Sequence, residues 1–120
     1  MTSQRFAKIA GIIALIIGVL GFFFTDWGWI QFDPLHNLIH VALGLWGILA
    51  GFNDRTEPAR IYAKSAGLFY AVVFIIGLVT PSFLTISFEM SENILHFILS
   101  VWGLYAGFSK VSSPPSVIQI

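Results

Sequence analysis

The segment NLIHVALGLWGILAGF, residues 37–52, returns 56 positions later as NILHFILSVWGLYAGF, residues 93–108. The match continues without a gap through the apolar stretch that precedes each copy, where Lys8 aligns with Lys64 and Gly11 aligns with Gly67. A self-match at one fixed offset predicts a single supersecondary unit used twice. We therefore predict two tandem repeats, residues 5–56 and 61–112, inside one membrane domain that comprises residues 1–120.

The composition places this chain in lipid. It is 57% hydrophobic and only 10% charged, whereas soluble domains carry about 25% charged residues. Four apolar stretches lie near the length of ~20 residues that crosses a bilayer core. They cover roughly residues 6–24, 35–52, 61–79 and 94–108. Asp33-Pro34 marks the start of the second, since proline suits the first position of a helix. We predict an all-α fold, a four-helix transmembrane bundle.

The number of crossings fixes how the repeats are related. Each repeat contains two crossings, so both copies enter the membrane from the same side. The bundle is therefore predicted to consist of two tandem parallel helical hairpins, related by a pseudo-two-fold axis along the membrane normal.

The formal net charge is zero, but the basic residues are confined to one side of the predicted topology. They are Arg5, Lys8, Arg55, Arg60, Lys64 and Lys110. Because loops rich in lysine and arginine stay in the cytoplasm, we predict a multi-pass protein of the cell (inner) membrane with both termini cytoplasmic. The serine- and proline-rich residues 109–120 are predicted to form a flexible cytoplasmic tail. The two outer loops carry aromatic rings that suit the headgroup level.

Small residues share one face of each predicted helix. In the second helix they are Gly44, Gly47 and Gly51, and the fourth helix carries a serine and two glycines at the equivalent places. Small residues three or four apart let helix backbones approach closely in lipid, so these faces are predicted packing seams. Trp46 and Trp102 lie on a different face, where contact with lipid or with the first or third helix explains them.

The two halves differ at one informative place. The first helix continues its small face through Ala14 and Gly18, whereas the third has Tyr70 and Phe74 there. Two interpretations remain open. The rings of one repeat fill the gap left by the other, or a groove beside the first helix accepts a lipid, a pigment or a partner helix.

Polar residues gather near the predicted outer ends of the second and fourth helices. At about 100° per residue they share the face of the glycines or flank it. The set comprises Asp33, His36, Asn37, His40, Glu89, Glu92, Asn93 and His96. Polar residues inside a membrane are costly, and they are usually paired or functional.

Three interpretations of this set compete. In the first, which we favour, no cofactor is bound: His40 hydrogen-bonds Asn93 or a backbone carbonyl, His96 does the mirror image, and the hairpins are clamped together. In the second, His36, His40, Glu92 and His96 bind zinc or another divalent ion, because each helix offers two ligands one turn apart. In the third, His40 and His96 are axial ligands of haem or chlorophyll.

Other functional classes lack support. The chain has no cysteine, which excludes disulfides and thiolate sites. It has no nucleotide-binding loop, serine elbow or zincin motif, and no basic patch for nucleic acid. We therefore predict no enzyme. The predicted function is a non-enzymatic accessory or scaffold subunit that contacts the lipid bilayer and packs with other membrane subunits or as a homo-oligomer. The alternative is a haem-, chlorophyll- or metal-binding membrane protein using His40 and His96.

Residues 33–44, DPLHNLIHVALG, resemble a segment of an uncharacterised prokaryotic family of small four-helix membrane proteins with a PLHNLxHxxxG pattern. The resemblance extends over about residues 6–108, through a glycine-bearing third helix and a second histidine segment. In that last segment Ser100 stands where glycine is more usual. The family is a domain of unknown function, so the resemblance implies the fold and membrane location rather than an activity.

Overall fold

The computed structural model describes residues 2–23, 34–80, 82–83, 86–87 and 90–109. Four helices dominate these ranges, so the predicted all-α class is confirmed. They are α1 (Thr2–Phe23), α2 (Pro34–Gly51), α3 (Glu57–Val79) and α4 (Met90–Phe108). The predicted tail after residue 109 and most of the loop aromatic residues lie outside the described residues.

A small β ladder in the α3–α4 connection was not predicted. Strand β1 (Ser82–Phe83) pairs antiparallel with β2 (Ile86–Ser87), and Ser82 is opposite Ser87. Each strand is two residues long. That is a single alternation of side-chain direction, too short for a hydrophobic pattern to reveal.

The helix boundaries follow local chemistry. Helix α2 begins at Pro34 as predicted, because the N–H that proline lacks would have no partner inside the helix anyway. Helix α3 begins at Glu57, with Pro58 in its first turn and an acidic group where the helix dipole favours it. It ends at Val79, and the following residue, Thr80, has an extended backbone that still donates its N–H to the Ile76 carbonyl at 2.8 Å. Both α1 and α3 begin before the predicted apolar stretches, because helical backbone hydrogen bonding extends into the polar residues that precede them.

Three of the four helices, α1, α2 and α3, are long and apolar enough to cross a membrane. Their mean hydropathies are 2.4, 1.2 and 1.8. Large apolar side chains point outward from the bundle, among them Phe23, Leu49 and Val79, which are 76%, 74% and 79% exposed. This length and composition indicate a membrane protein in contact with lipid. A crossing by α4, which carries buried polar side chains, stays a prediction.

Glycines bring together the two helices within each hairpin, as the predicted seams require. A Cβ atom added to Gly11 of α1 would lie 2.8 Å from the backbone nitrogen of Ile48 in α2. In the other hairpin, one added to Gly67 of α3 would lie 2.7 Å from the backbone nitrogen of Leu104 in α4. Backbone cannot yield as a side chain can, so any larger residue would separate these helices.

Aromatic rings join one hairpin to the other. Phe6 of α1 meets the edge of Trp102 in α4 at 5.0 Å, and Tyr62 of α3 meets the edge of Trp46 in α2 at 5.1 Å, measured between ring centroids. Phe6 and Tyr62 are fully buried and lie 6.0 Å from each other. The two contacts involve residues 56 positions apart. The tryptophans thus pack against the first and third helices and take no part in the histidine site.

The ends of the bundle differ in character. At one end, Ser3 of α1 donates its hydroxyl to the Ala106 carbonyl of α4 at 2.7 Å. At the other, the first turns of α2 and α4 bring His36 beside Glu92. The buried histidines therefore lie toward the second end, and the buried aromatic rings of Phe6 and Tyr62 lie toward the first.

A candidate metal centre between α2 and α4

Three histidine side chains meet inside the bundle. His36 and His40 stand one turn apart on α2, and His96 comes from α4. One ring nitrogen of each lies within 4.8 Å of a ring nitrogen of the other two. Their side chains are buried, with exposed fractions of 6%, 9% and 4%. The structure thus brings together three of the four side chains predicted as metal ligands.

The rings are held by close contacts with each other and with α3. The His36 and His40 centroids are 4.3 Å apart, and those of His36 and His96 are 6.3 Å apart. Tyr70 of α3 stacks on His96 at 5.7 Å with an interplanar angle of 21°. Sequence reasoning did not assign Tyr70 to the site. The available signal was that a large ring replaces the small Ala14 at the equivalent place in α1.

Glu92, the fourth side chain predicted as a metal ligand, lies beside the three converging histidines. Its Oε1 atom lies 3.3 Å from Nδ1 of His36, and both side chains are buried. Its carboxylate is not among the three groups that converge within 4.8 Å. A carboxylate at one ring nitrogen fixes the tautomer and orientation of the imidazole, so that the other nitrogen can serve as a metal ligand. Glu92 therefore lies against the Nδ1 edge of the His36 ring, the position from which a carboxylate orients a histidine ligand.

The predicted hydrogen bond of His40, with Asn93 or with a backbone carbonyl, does not involve the Nδ1 atom of this ring. Within the described residues, Nδ1 of His40 and Oδ1 of Asn93 are both buried without a hydrogen-bond partner. His40 faces His36 instead, and the Asn93 amide lies against Gly77 of α3, where an added Cβ would overlap it. The rotation of α4 thus directs this amide toward α3 rather than toward the imidazole.

Buried polar atoms in the cluster keep unused hydrogen-bonding capacity. Besides His40 and Asn93, the described residues include Nδ1 of His96 and Oδ1 of Asn37 with no hydrogen-bond partner. Each such group costs about 1–3 kcal/mol when buried unsatisfied. Without a ligand, such a cluster therefore lowers the free energy of unfolding. A bound cation that accepts nitrogen lone pairs would offset part of this loss.

The space beside the histidines is small. Tyr70, His40 and His96 line a cavity of about 10 Å³ with apolar residues that include Ala14 and Leu99. This is roughly the space of one water molecule. Pockets for larger organic ligands measure ~300 Å³ or more, so this cavity is smaller than a tetrapyrrole site, and the haem or chlorophyll interpretation stays a prediction. Tyr70 and Ala14 line this cavity together, and the filling and groove alternatives both stay predictions.

Comparison with known proteins identifies the family. The family described as a domain of unknown function (DUF4383) matches residues 4–109. The chain belongs to this family, which confirms the resemblance noted from the sequence. No curated protein and no solved structure matches the chain.

Proposed function

We propose that this membrane protein binds one divalent transition-metal ion, of the zinc class, through His36, His40 and His96. The observation that carries the proposal is the convergence of three buried imidazoles from two helices within 4.8 Å. Imidazole is a good ligand for zinc, copper, nickel and iron. Three of them meeting in an apolar bundle provide the donor set of many zinc sites.

The distances suit coordination after small side-chain movements. Zn–N bonds of about 2.0 Å place the nitrogens of a tetrahedral site about 3.3 Å apart. The three nitrogens already lie within 4.8 Å of one another. Small rotations of the rings would therefore bring them to the spacing of a tetrahedral site. Glu92 at Nδ1 of His36 and the stacked ring of Tyr70 at His96 limit that rotation. The Nε2 atom of His36 is the proposed ligand.

A metal at this site would join the two hairpins. His36 and His40 belong to α2, and His96 belongs to α4. An ion that binds only the folded chain stabilises it by about 2.7 kcal/mol when its concentration is 100 times the Kd. The proposed role of the ion is therefore at least structural, as a clamp at the polar end of the bundle.

The proposed setting is a four-pass protein of the cell (inner) membrane with cytoplasmic termini, made of a duplicated hairpin inserted twice in the same sense. The paired contacts of Phe6 with Trp102 and of Tyr62 with Trp46 support the duplication. The meeting of the first turns of α2 and α4 supports a common direction. The predicted non-enzymatic role as an accessory or scaffold subunit is compatible with a structural ion. Its test is isolation from native membranes, where a chain that always runs alone would contradict it.

The metal proposal is tested by calorimetric titration of chelator-stripped protein in mild detergent with Zn²⁺. We expect one ion per wild-type chain and loss of that binding in His96→Ala. Ser100→Ala is the matched control, because Ser100 is also buried on α4, one turn further along, and its hydroxyl donates to the local Phe97 carbonyl. Binding that is absent from the wild type, or equal in both variants, would contradict the proposal. Helicity by circular dichroism confirms that each variant is folded.

A further inference from the structure

We infer that the metal centre keeps a fourth coordination position for a single water-sized ligand, facing the cavity that His40 and His96 line. This inference rests on the proposed function and names the exogenous ligand of that site. The ligand class is water, or the hydroxide formed from it.

The described side chains supply three converging ligands, and tetrahedral zinc takes four. Zinc sites with three protein ligands hold water or substrate in the fourth position. The neighbouring side chains are committed elsewhere: Glu92 faces Nδ1 of His36, and the Asn93 amide lies against Gly77. Moving Glu92 onto the ion would take the carboxylate from His36. An exogenous fourth ligand leaves both arrangements intact.

The cavity is placed to receive that ligand. It touches His40 and His96, two of the three ligand residues, and its described lining includes neither His36 nor Glu92. It therefore opens on the side of the centre away from the carboxylate. Its volume of about 10 Å³ is near the minimum that holds one water.

The lining explains why the ligand must be small. Ala14, Leu99 and the Tyr70 ring give the cavity a mostly apolar lining. A water in such a space needs polar partners, and a metal ion provides a strong one. The charge also favours hydroxide, since a divalent ion with three neutral imidazoles and one nearby carboxylate retains a positive charge that low-dielectric surroundings make costly.

Cobalt(II) is a suitable probe because its visible spectrum reports coordination. Azide, which is larger than water, is added to cobalt-loaded wild type, Leu99→Ala and Leu43→Ala. Leu99 lines the cavity, whereas Leu43 packs on the same core without lining it. We expect azide to change the spectrum saturably in Leu99→Ala and to leave the wild type and Leu43→Ala unchanged. No response in Leu99→Ala would overturn the inference, and so would a response in all three. If Leu99→Ala does not fold, Leu99→Val replaces it.

Zinc X-ray absorption identifies the fourth ligand in the unmodified cavity. We expect three imidazoles and one further oxygen, with the same shell in Glu92→Gln. Loss of the oxygen in Glu92→Gln would show that the carboxylate is the fourth ligand and would overturn the inference.

Failure of the proposed metal site and failure of the open fourth position give different results. A chain that binds neither cobalt nor zinc refutes the metal site itself, whereas histidine-dependent binding with a protein carboxylate in fourth position refutes only the open position.

Discussion

Oε1 of Glu92 lies 3.3 Å from Nδ1 of His36, across the interface between α4 and α2, and both side chains are buried. A buried carboxylate is costly without a partner, so this contact accounts for the presence of an acid inside the bundle. It also involves the histidine whose ring is in contact with both His40 and His96. The pair therefore connects the packing of the helices with the chemistry proposed for the cluster.

Glu92→Gln should weaken metal binding without abolishing it. Loss of an outer carboxylate typically costs 10- to 100-fold in metal affinity, so we expect the Kd for Zn²⁺ to rise by about that factor while the stoichiometry stays at one. Competition with a chromogenic chelator measures the Kd. Glu57→Gln is the control, because Glu57 is exposed in the first turn of α3. Equal effects of the two substitutions would exclude a positioning role for Glu92.

Gly11→Ala should destabilise the first hairpin. The added methyl would lie 2.8 Å from the Ile48 backbone nitrogen, and overpacking of this kind costs about 1–3 kcal/mol. Unfolding in a denaturing detergent, followed by circular dichroism, measures the change. Ala42→Val is the comparison, since Ala42 is exposed on α2 and should shift the free energy of unfolding by less. A Gly11→Ala chain as stable as the wild type would show that these helices are not in backbone contact.

Tyr62→Phe and Ser3→Ala each remove one hydroxyl, and the expected results differ. The Tyr62 hydroxyl is buried with no hydrogen-bond partner among the described residues, so its removal should be neutral or stabilising. The Ser3 hydroxyl donates to the Ala106 carbonyl at 2.7 Å, and its loss should cost about 1 kcal/mol. The same detergent unfolding assay compares them. A larger loss in Tyr62→Phe than in Ser3→Ala would contradict the packing described for the apolar end.

Phe6→Ala should be among the most damaging apolar truncations. Phe6 is fully buried between the hairpins, against Trp102 and Tyr62, and truncation of a buried phenylalanine costs about 3–5 kcal/mol. Phe23→Ala, at a ring that is 76% exposed, serves as the control and should cost much less. If both cost the same, the interface between hairpins would contribute nothing measurable.

Much of the fold follows from the sequence because its signals are periodic. Four apolar stretches predicted four helices, and glycines at helical spacing predicted which faces approach. The helices extend beyond the apolar stretches, as at Thr2 and Glu57, because hydropathy reports lipid contact and not backbone hydrogen bonding. The β1–β2 ladder is too short to produce a pattern.

The candidate site was only partly predictable for a different reason. Spacing of four residues placed His36 and His40 on one face, and the 56-residue offset added His96. Spacing does not define side-chain rotamers or the rotation of α4, so it did not reveal that the Asn93 amide lies against Gly77 or that Glu92 lies against Nδ1 of His36. Tyr70 comes from a third helix, and its approach to His96 depends on tertiary packing that helical periodicity does not encode.

The central claim is that three imidazoles form one metal site, and all three histidines of the chain belong to it. The most direct measurement is the zinc content per chain after exhaustive dialysis, by elemental analysis, of wild type and of a variant with His36, His40 and His96 all changed to alanine. We expect one zinc per wild-type chain and none in the variant. A wild type that retains no zinc, or a variant that retains as much, would contradict the account.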